Sequence, residues 1–123
     1  MNTDLKAFMN LRFPPARLTG EQVMWRFGMT RDEVRIISSP EVINRIRESL
    51  SPKDRNQVLS NATRLRPLGN PAPMATKYFQ EAEIARLEGD IEWLDKAVRT
   101  IREYWRLKKR NKKEMKEERK DEL

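Results

Sequence analysis

Three side chains in the first third of the chain have the type and spacing for recognition by hydrogen bonding: Arg31, Asp32 and Arg35. A guanidinium fork donates two parallel hydrogen bonds to a planar acceptor pair, whether a phosphate or the edge of a guanine, and a separation of four residues sets Arg31 and Arg35 on one helical face. Thr30 and Ser39 flank them with hydroxyls suited to phosphate oxygens. Further along, Arg64, Arg66 and Lys77 add three more cations. Covalent chemistry is poorly equipped by comparison. With no cysteine and no histidine, thiolate nucleophiles, imidazole bases, disulfides and nearly every zinc site drop out. No catalytic residue, metal site or cofactor is expected, and the chain is read as a binder rather than an enzyme.

The charge balance agrees with an anionic partner. Lysine and arginine number 26 against 19 acids, a formal charge of +7. Its distribution is uneven: residues 1 to 79 hold 13 bases and 7 acids, residues 80 to 105 hold 4 and 7, and residues 106 to 123 hold 9 and 5. Positive charge is thus concentrated at the front and in the tail. No apolar run approaches the roughly 20 residues that cross a bilayer, and no secretory signal is visible, so a cytoplasmic protein is expected. The closing Lys120-Asp121-Glu122-Leu123 spells a retrieval signal of the secretory pathway, read here as chance in a tail built from those residue types.

The elements that would position these groups are mainly helical. Leu5, Phe8, Met9, Leu11 and Phe13, closed by Pro14-Pro15, suggest a short docking helix. Thr19 with Gln22 and Thr30 with Glu33 are two capping boxes, each opening a short helix, and Gly28 between them suits the left-handed residue that ends the first. The helices are predicted over residues 20–27 and from Thr30 to about Ser38. Ser39-Pro40 and Ser51-Pro52 signal two more starts, ahead of Val42, Ile43, Ile46 and Leu50 and of Val58 and Leu59. Pro67, Gly69, Asn70, Pro71 and Pro73 exclude helix and suggest a hairpin with strands at Leu65 to Leu68 and Lys77 to Phe79. Tyr78 and Phe79 are expected in the core, and Trp25 against the hairpin or the long helix that follows.

That long helix carries Ile84, Leu87, Ile91, Leu94, Val98, Ile101 and Trp105 in alternating steps of three and four, a three-heptad seam with Gly89 as a weak point. The seam either covers the protein's own core or pairs with a second copy, and its length favours a homodimer. Beyond it, Arg106 to Lys113 hold six bases in eight residues and no acid, a stretch able to touch a nucleic-acid backbone or simply to remain solvated. The chain divides on this reading into a domain over 1–79, in which residues 40–63 are an insertion, and a helical arm over 80–123.

The segment from Gly20 to Ser39 resembles the helix-turn-helix of bacterial DNA-binding proteins. The likeness rests on Gly28 in the turn and on apolar Val23, Phe27, Met29, Val34 and Ile37, while Met24 stands where that motif carries alanine. The order of parts, with the hairpin sequence Leu65-Arg66-Pro67-Leu68-Gly69-Asn70-Pro71-Ala72-Pro73 ending in Lys77-Tyr78-Phe79, resembles the winged MerR and excisionase-like class over about residues 17 to 105. The resemblance implies a recognition helix that presents Thr30, Arg31, Asp32, Arg35, Ile36 and Ser39 to the major groove of double-stranded DNA, with Arg31 and Arg35 reading bases and Arg64, Arg66 and Lys77 of the wing each neutralising a phosphate. The expectation is a mainly α protein, helix-turn-helix with a short β-hairpin wing and a long C-terminal amphipathic helix, acting as a sequence-specific DNA-binding protein. The competing expectation is a protein-interaction module that dimerises or captures a partner through the heptad helix.

Overall fold

The computed structural model describes residues 17–72 and 74–121, with side chains as far as Lys113. The expected docking helix before Arg17 lies outside the described residues. Strand β1 (Arg17–Thr19) leads into helix α1 (Gly20–Phe27), followed by α2 (Arg31–Ser38), α3 (Pro40–Glu48), the single turn α4 (Pro52–Arg55), strand β2 (Tyr78–Gln80), α5 (Glu81–Glu88) and the long α6 (Ile91–Asp121). The protein is mainly helical, with one two-stranded antiparallel sheet and a long C-terminal helix. Among the described residues no helix is long and apolar enough to cross a membrane.

The chain forms two compact units, neither of them a single run of sequence. Among the described residues, one takes 17–34 and Leu65–Ile91; the other takes Arg35–Arg64 and 92–121.

In the first unit both anticipated capping boxes form. Thr19 Oγ1 accepts from the Gln22 N–H at 3.2 Å while Gln22 Oε1 accepts from the Thr19 N–H at 2.8 Å. Thr30 and Glu33 repeat the exchange at 3.2 and 2.9 Å. Each box satisfies two of the amide donors that a helix start leaves orphaned. Gly28 ends α1 at φ 66°, ψ 37°, the left-handed conformation that glycine adopts without a Cβ penalty, and Met29 N–H returns to Met24 C=O at 2.9 Å.

The two-stranded sheet pairs Arg17 with Gln80, Leu18 with Phe79 and Thr19 with Tyr78. Here the structure corrects the sequence reading, since Leu65 to Leu68 form no strand and β2's partner comes from the chain ahead of α1. Pro67 has no N–H to give a ladder, and positive φ at Gly69 (74°) and Asn70 (45°) turns the chain at once. What survives of the expected hairpin is one bond, from Leu68 N–H to Tyr78 C=O at 2.7 Å. Leu18 and Phe79, opposite each other, are buried with Val23, Val34, Leu65, Ile84 and Leu87. Arg26 on α1 ties this core down at its edge by reaching Glu81 at 3.2 Å and Glu88 at closer range, both on α5. Its guanidinium is accordingly held above its ordinary range, mostly by the Glu88 hydrogen bond. Trp25, expected to pack inward, is 82% exposed. Val23 takes the buried face of α1, and Trp25, two residues on, points about 200° away at 100° per residue.

The second unit is built around residues 40–63 and α6. Pro40 opens α3, capped by Ser39 Oγ accepting from Val42 N–H at 3.3 Å, and Ile43 and Ile46 face inward. Arg47 Nη1 donates to Arg55 C=O at 2.8 Å while Arg55 Nε donates to Arg47 C=O at 2.7 Å, a reciprocal brace between α3 and α4. Two bonds fix the stretch to α6: the Leu59 N–H donates to the buried Thr100 hydroxyl at 2.9 Å, and Trp93 Nε1 donates to Thr63 C=O at 2.6 Å. Thr100 passes its own proton to Lys96 C=O at 2.7 Å, so a buried hydroxyl has both roles filled. Ile36, Ile37, Val58, Leu59, Trp93, Ala97 and Ile101 complete this core.

The heptad seam is also corrected. Helix ends at Glu88 and restarts at Ile91, broken at Gly89 and Asp90, where glycine's backbone entropy and aspartate's preference for helix starts act together. Ile84 and Leu87 belong to the first unit's core. In α6 the buried face is Trp93, Ala97, Thr100 and Ile101, whereas Ile91, Val98 and Trp105 are 80%, 49% and 44% exposed and Leu94 is half-buried.

Candidate nucleic-acid interface

Helix α2 presents the residues singled out for recognition on a short exposed face. Arg31 and Asp32 in its first turn and Arg35 one turn later are exposed. The next three positions, Ile36, Ile37 and Ser38, are all buried, so the face ends at Arg35. Ile36, expected outward, is fully buried: at 100° per residue it lies 140° from Arg31, beyond the sector that Arg31, Asp32 and Arg35 occupy. Thr30 and Ser39 stand at the two ends of the helix with their oxygens engaged as caps, toward Glu33 N–H and Val42 N–H.

Within the second unit Arg35 lies against Tyr104 of α6. Its Nη2 donates to the phenol oxygen at 3.3 Å and its guanidinium carbon sits 5.8 Å from the ring centroid. Lys108, one turn along α6, reaches the same oxygen at 3.4 Å, and its ammonium lies 5.6 Å from both the Tyr104 and Trp105 rings. The phenol's proton affinity is lowered, first by the Arg35 hydrogen bond and then by that of Lys108. An open cleft of about 240 Å³ adjoins the group, lined by Tyr104, Lys108, Arg45, Asn111, Val42, Ile46 and Leu107; its charged members are all cationic. With Arg45 and Lys108 on its walls, the cleft can admit an anion's oxygens.

The remaining predicted cations separate. Arg64 is half-buried and its Nη1 donates to Ser38 C=O at 2.7 Å, satisfying one of the carbonyls left open at the end of α2. It is a strut for that helix, and its inward setting does not match the surface phosphate contact expected of it. In the first unit, exposed Arg66 and half-buried Lys77 stand next to Leu68 and Tyr78, on the two chains joined by the Leu68–Tyr78 bond. Arg17 adds a cation there, 4.6 Å above the Tyr78 ring.

Sequence reasoning missed Tyr104 and Arg45, and had Lys108 only as one member of the basic run Arg106 to Lys113. The spacing of Tyr104 and Lys108 by four on a helix was a usable local signal. Nothing local connects them with Arg35, 69 residues away. Comparison with family models, curated proteins and solved structures finds no match for this chain.

Proposed function

We propose that this protein binds double-stranded DNA sequence-specifically in the cytoplasm, as a transcription regulator or an accessory factor of the excisionase type, without a chemical step. Helix α2 is the reading element, with Arg31 and Arg35 on base edges and Asp32 and Thr30 beside them. Arg66 and Lys77, with Lys108 and Arg45, supply phosphate contacts. The observation that carries the reading is the pair of exposed arginines one turn apart at the start of a helix that follows another across a left-handed glycine.

The test is selection of bound fragments from random DNA, then anisotropy titration of the enriched site at several salt concentrations. Each arginine bonded bidentately to guanine contributes about 1–3 kcal/mol, so the Arg31→Ala/Arg35→Ala double variant is expected to lose at least about thirtyfold on that site. Lys77→Ala should weaken all sequences about equally and flatten the salt slope. Because Arg35 also touches Tyr104, Tyr104→Phe is the control that separates base contact from support of α2. Unchanged affinity in the double variant overturns the assignment of α2, and affinity indifferent to salt favours the protein-interaction reading.

A further inference from the structure

We infer that α6 is a self-association surface, on which two copies of this chain pair antiparallel over residues 94 to 105. The inference stands apart from DNA binding and needs no nucleic acid. Val98 and Trp105 are 49% and 44% exposed on α6, seven residues apart, with half-buried Leu94 and the rim of Ile101 beside them. Leu94 to Trp105 spans about 16 Å of helix at 1.5 Å per residue, enough for four layers of side chains. Antiparallel pairing sets Trp105 against Leu94 of the other copy and lays Val98 over the outer edge of the other copy's Ile101, which its own core leaves only 8% exposed.

Charge selects both the partner and the direction. Asp95 and Arg102 are exposed along one edge of that stripe, seven residues apart. In an antiparallel pair Asp95 of each copy meets Arg102 of the other, and two-fold symmetry makes the contact twice. Asp95 is engaged within its own helix by Arg99 at 3.2 Å, but that pair is exposed and exchanges easily. A parallel pair offers no such match: Arg102 would face buried Ala97, and the run Arg106 to Lys113, six bases and no acid, would lie beside its own copy. A surface complementary to itself under a two-fold axis calls for a second copy rather than a foreign helix.

Sedimentation equilibrium of the full chain, without DNA, reads the result. At about 100 µM, suited to a small interface of micromolar affinity, the expected mass is twice 14.7 kDa. Arg102→Asp and Asp95→Arg should each weaken self-association about tenfold, and the combined exchange should restore it to within about threefold, because it rebuilds both pairs with their signs reversed. Both sites are exposed, so neither change threatens folding; Val98→Asp should leave a folded monomer by circular dichroism. The chain has no cysteine, so Asp95→Cys and Arg102→Cys can be introduced singly and mixed. A short bis-maleimide should then join the mixture far better than either variant alone. A monomer at every concentration, a dimer indifferent to Arg102→Asp, failure of the combined exchange to restore association, or each cysteine variant crosslinking to itself would overturn the inference.

Discussion

Helices α5 and α6 draw on one uninterrupted heptad pattern and use it in two ways. On α5 the pattern's residues, Ile84 and Leu87, are buried in their unit's core. On α6 the same pattern continues through Val98 and Trp105, yet burial has rotated onto Trp93, Ala97 and Thr100; of the patterned residues only Ile101 stays buried, Leu94 is half-buried, and Ile91, Val98 and Trp105 are exposed. The break at Gly89 and Asp90 resets the phase. Hydrophobic periodicity therefore reports that a face is apolar without reporting what covers it, and a two-residue interruption suffices to give the two halves different partners.

Substitution by alanine gives the largest contrast. Ile84→Ala removes a fully buried side chain and should cost about 2–5 kcal/mol in denaturant unfolding, whereas Val98→Ala at concentrations where the chain is monomeric should cost under about 0.5 kcal/mol. Equal costs would abolish the distinction. The rotated face of α6 is probed next by Thr100→Val, which keeps the shape but leaves the buried Leu59 N–H without its acceptor; a loss of about 1–3 kcal/mol is expected. The smallest effect is a titration. Arg35, and after it Lys108, holds the Tyr104 phenol below its usual range, so the folded protein releases that proton before the unfolded chain does. The stabilisation is absent at neutral pH, grows as pH rises through the folded-state value, and is complete above the unfolded value near about 10. In a Tyr78→Phe background, phenolate absorbance should move to higher pH when Arg35 is changed to alanine, and a stationary curve would place Arg35 away from the ring.

What was legible in the sequence was local. Both capping boxes, the Gly28 corner, the Ser39-Pro40 and Ser51-Pro52 starts and the inward setting of Phe79 rest on interactions within a few residues or on strong hydrophobicity, and all are present. Pairing across the sequence was not. β2's partner could not be told from residue types, because Leu65 to Leu68 and Leu18 are about equally apolar and the decision fell to Pro67 and the turn behind it. For the candidate interface, the exposure of Arg31 and Arg35 followed from helical spacing. The inward pull on Arg64 depends on where Ser38 C=O comes to lie, and the meeting of Arg35 with Tyr104 on the path of a distant helix. Trp25 shows a further limit: its size argued for burial, but Val23 had already claimed the inner face of α1.

The hydroxyl of Thr100, which receives Leu59's amide across 41 residues of sequence, orders events during synthesis. Everything the first unit needs has been translated once Ile91 is added, while residues 35 to 64 must wait for Trp93 and Thr100 before their main chain can be anchored. The isoleucines of residues 35 to 64 therefore stay uncovered until the chain carrying Trp93 and Thr100 is free to pack, and until then they are the part of the molecule most open to aggregation.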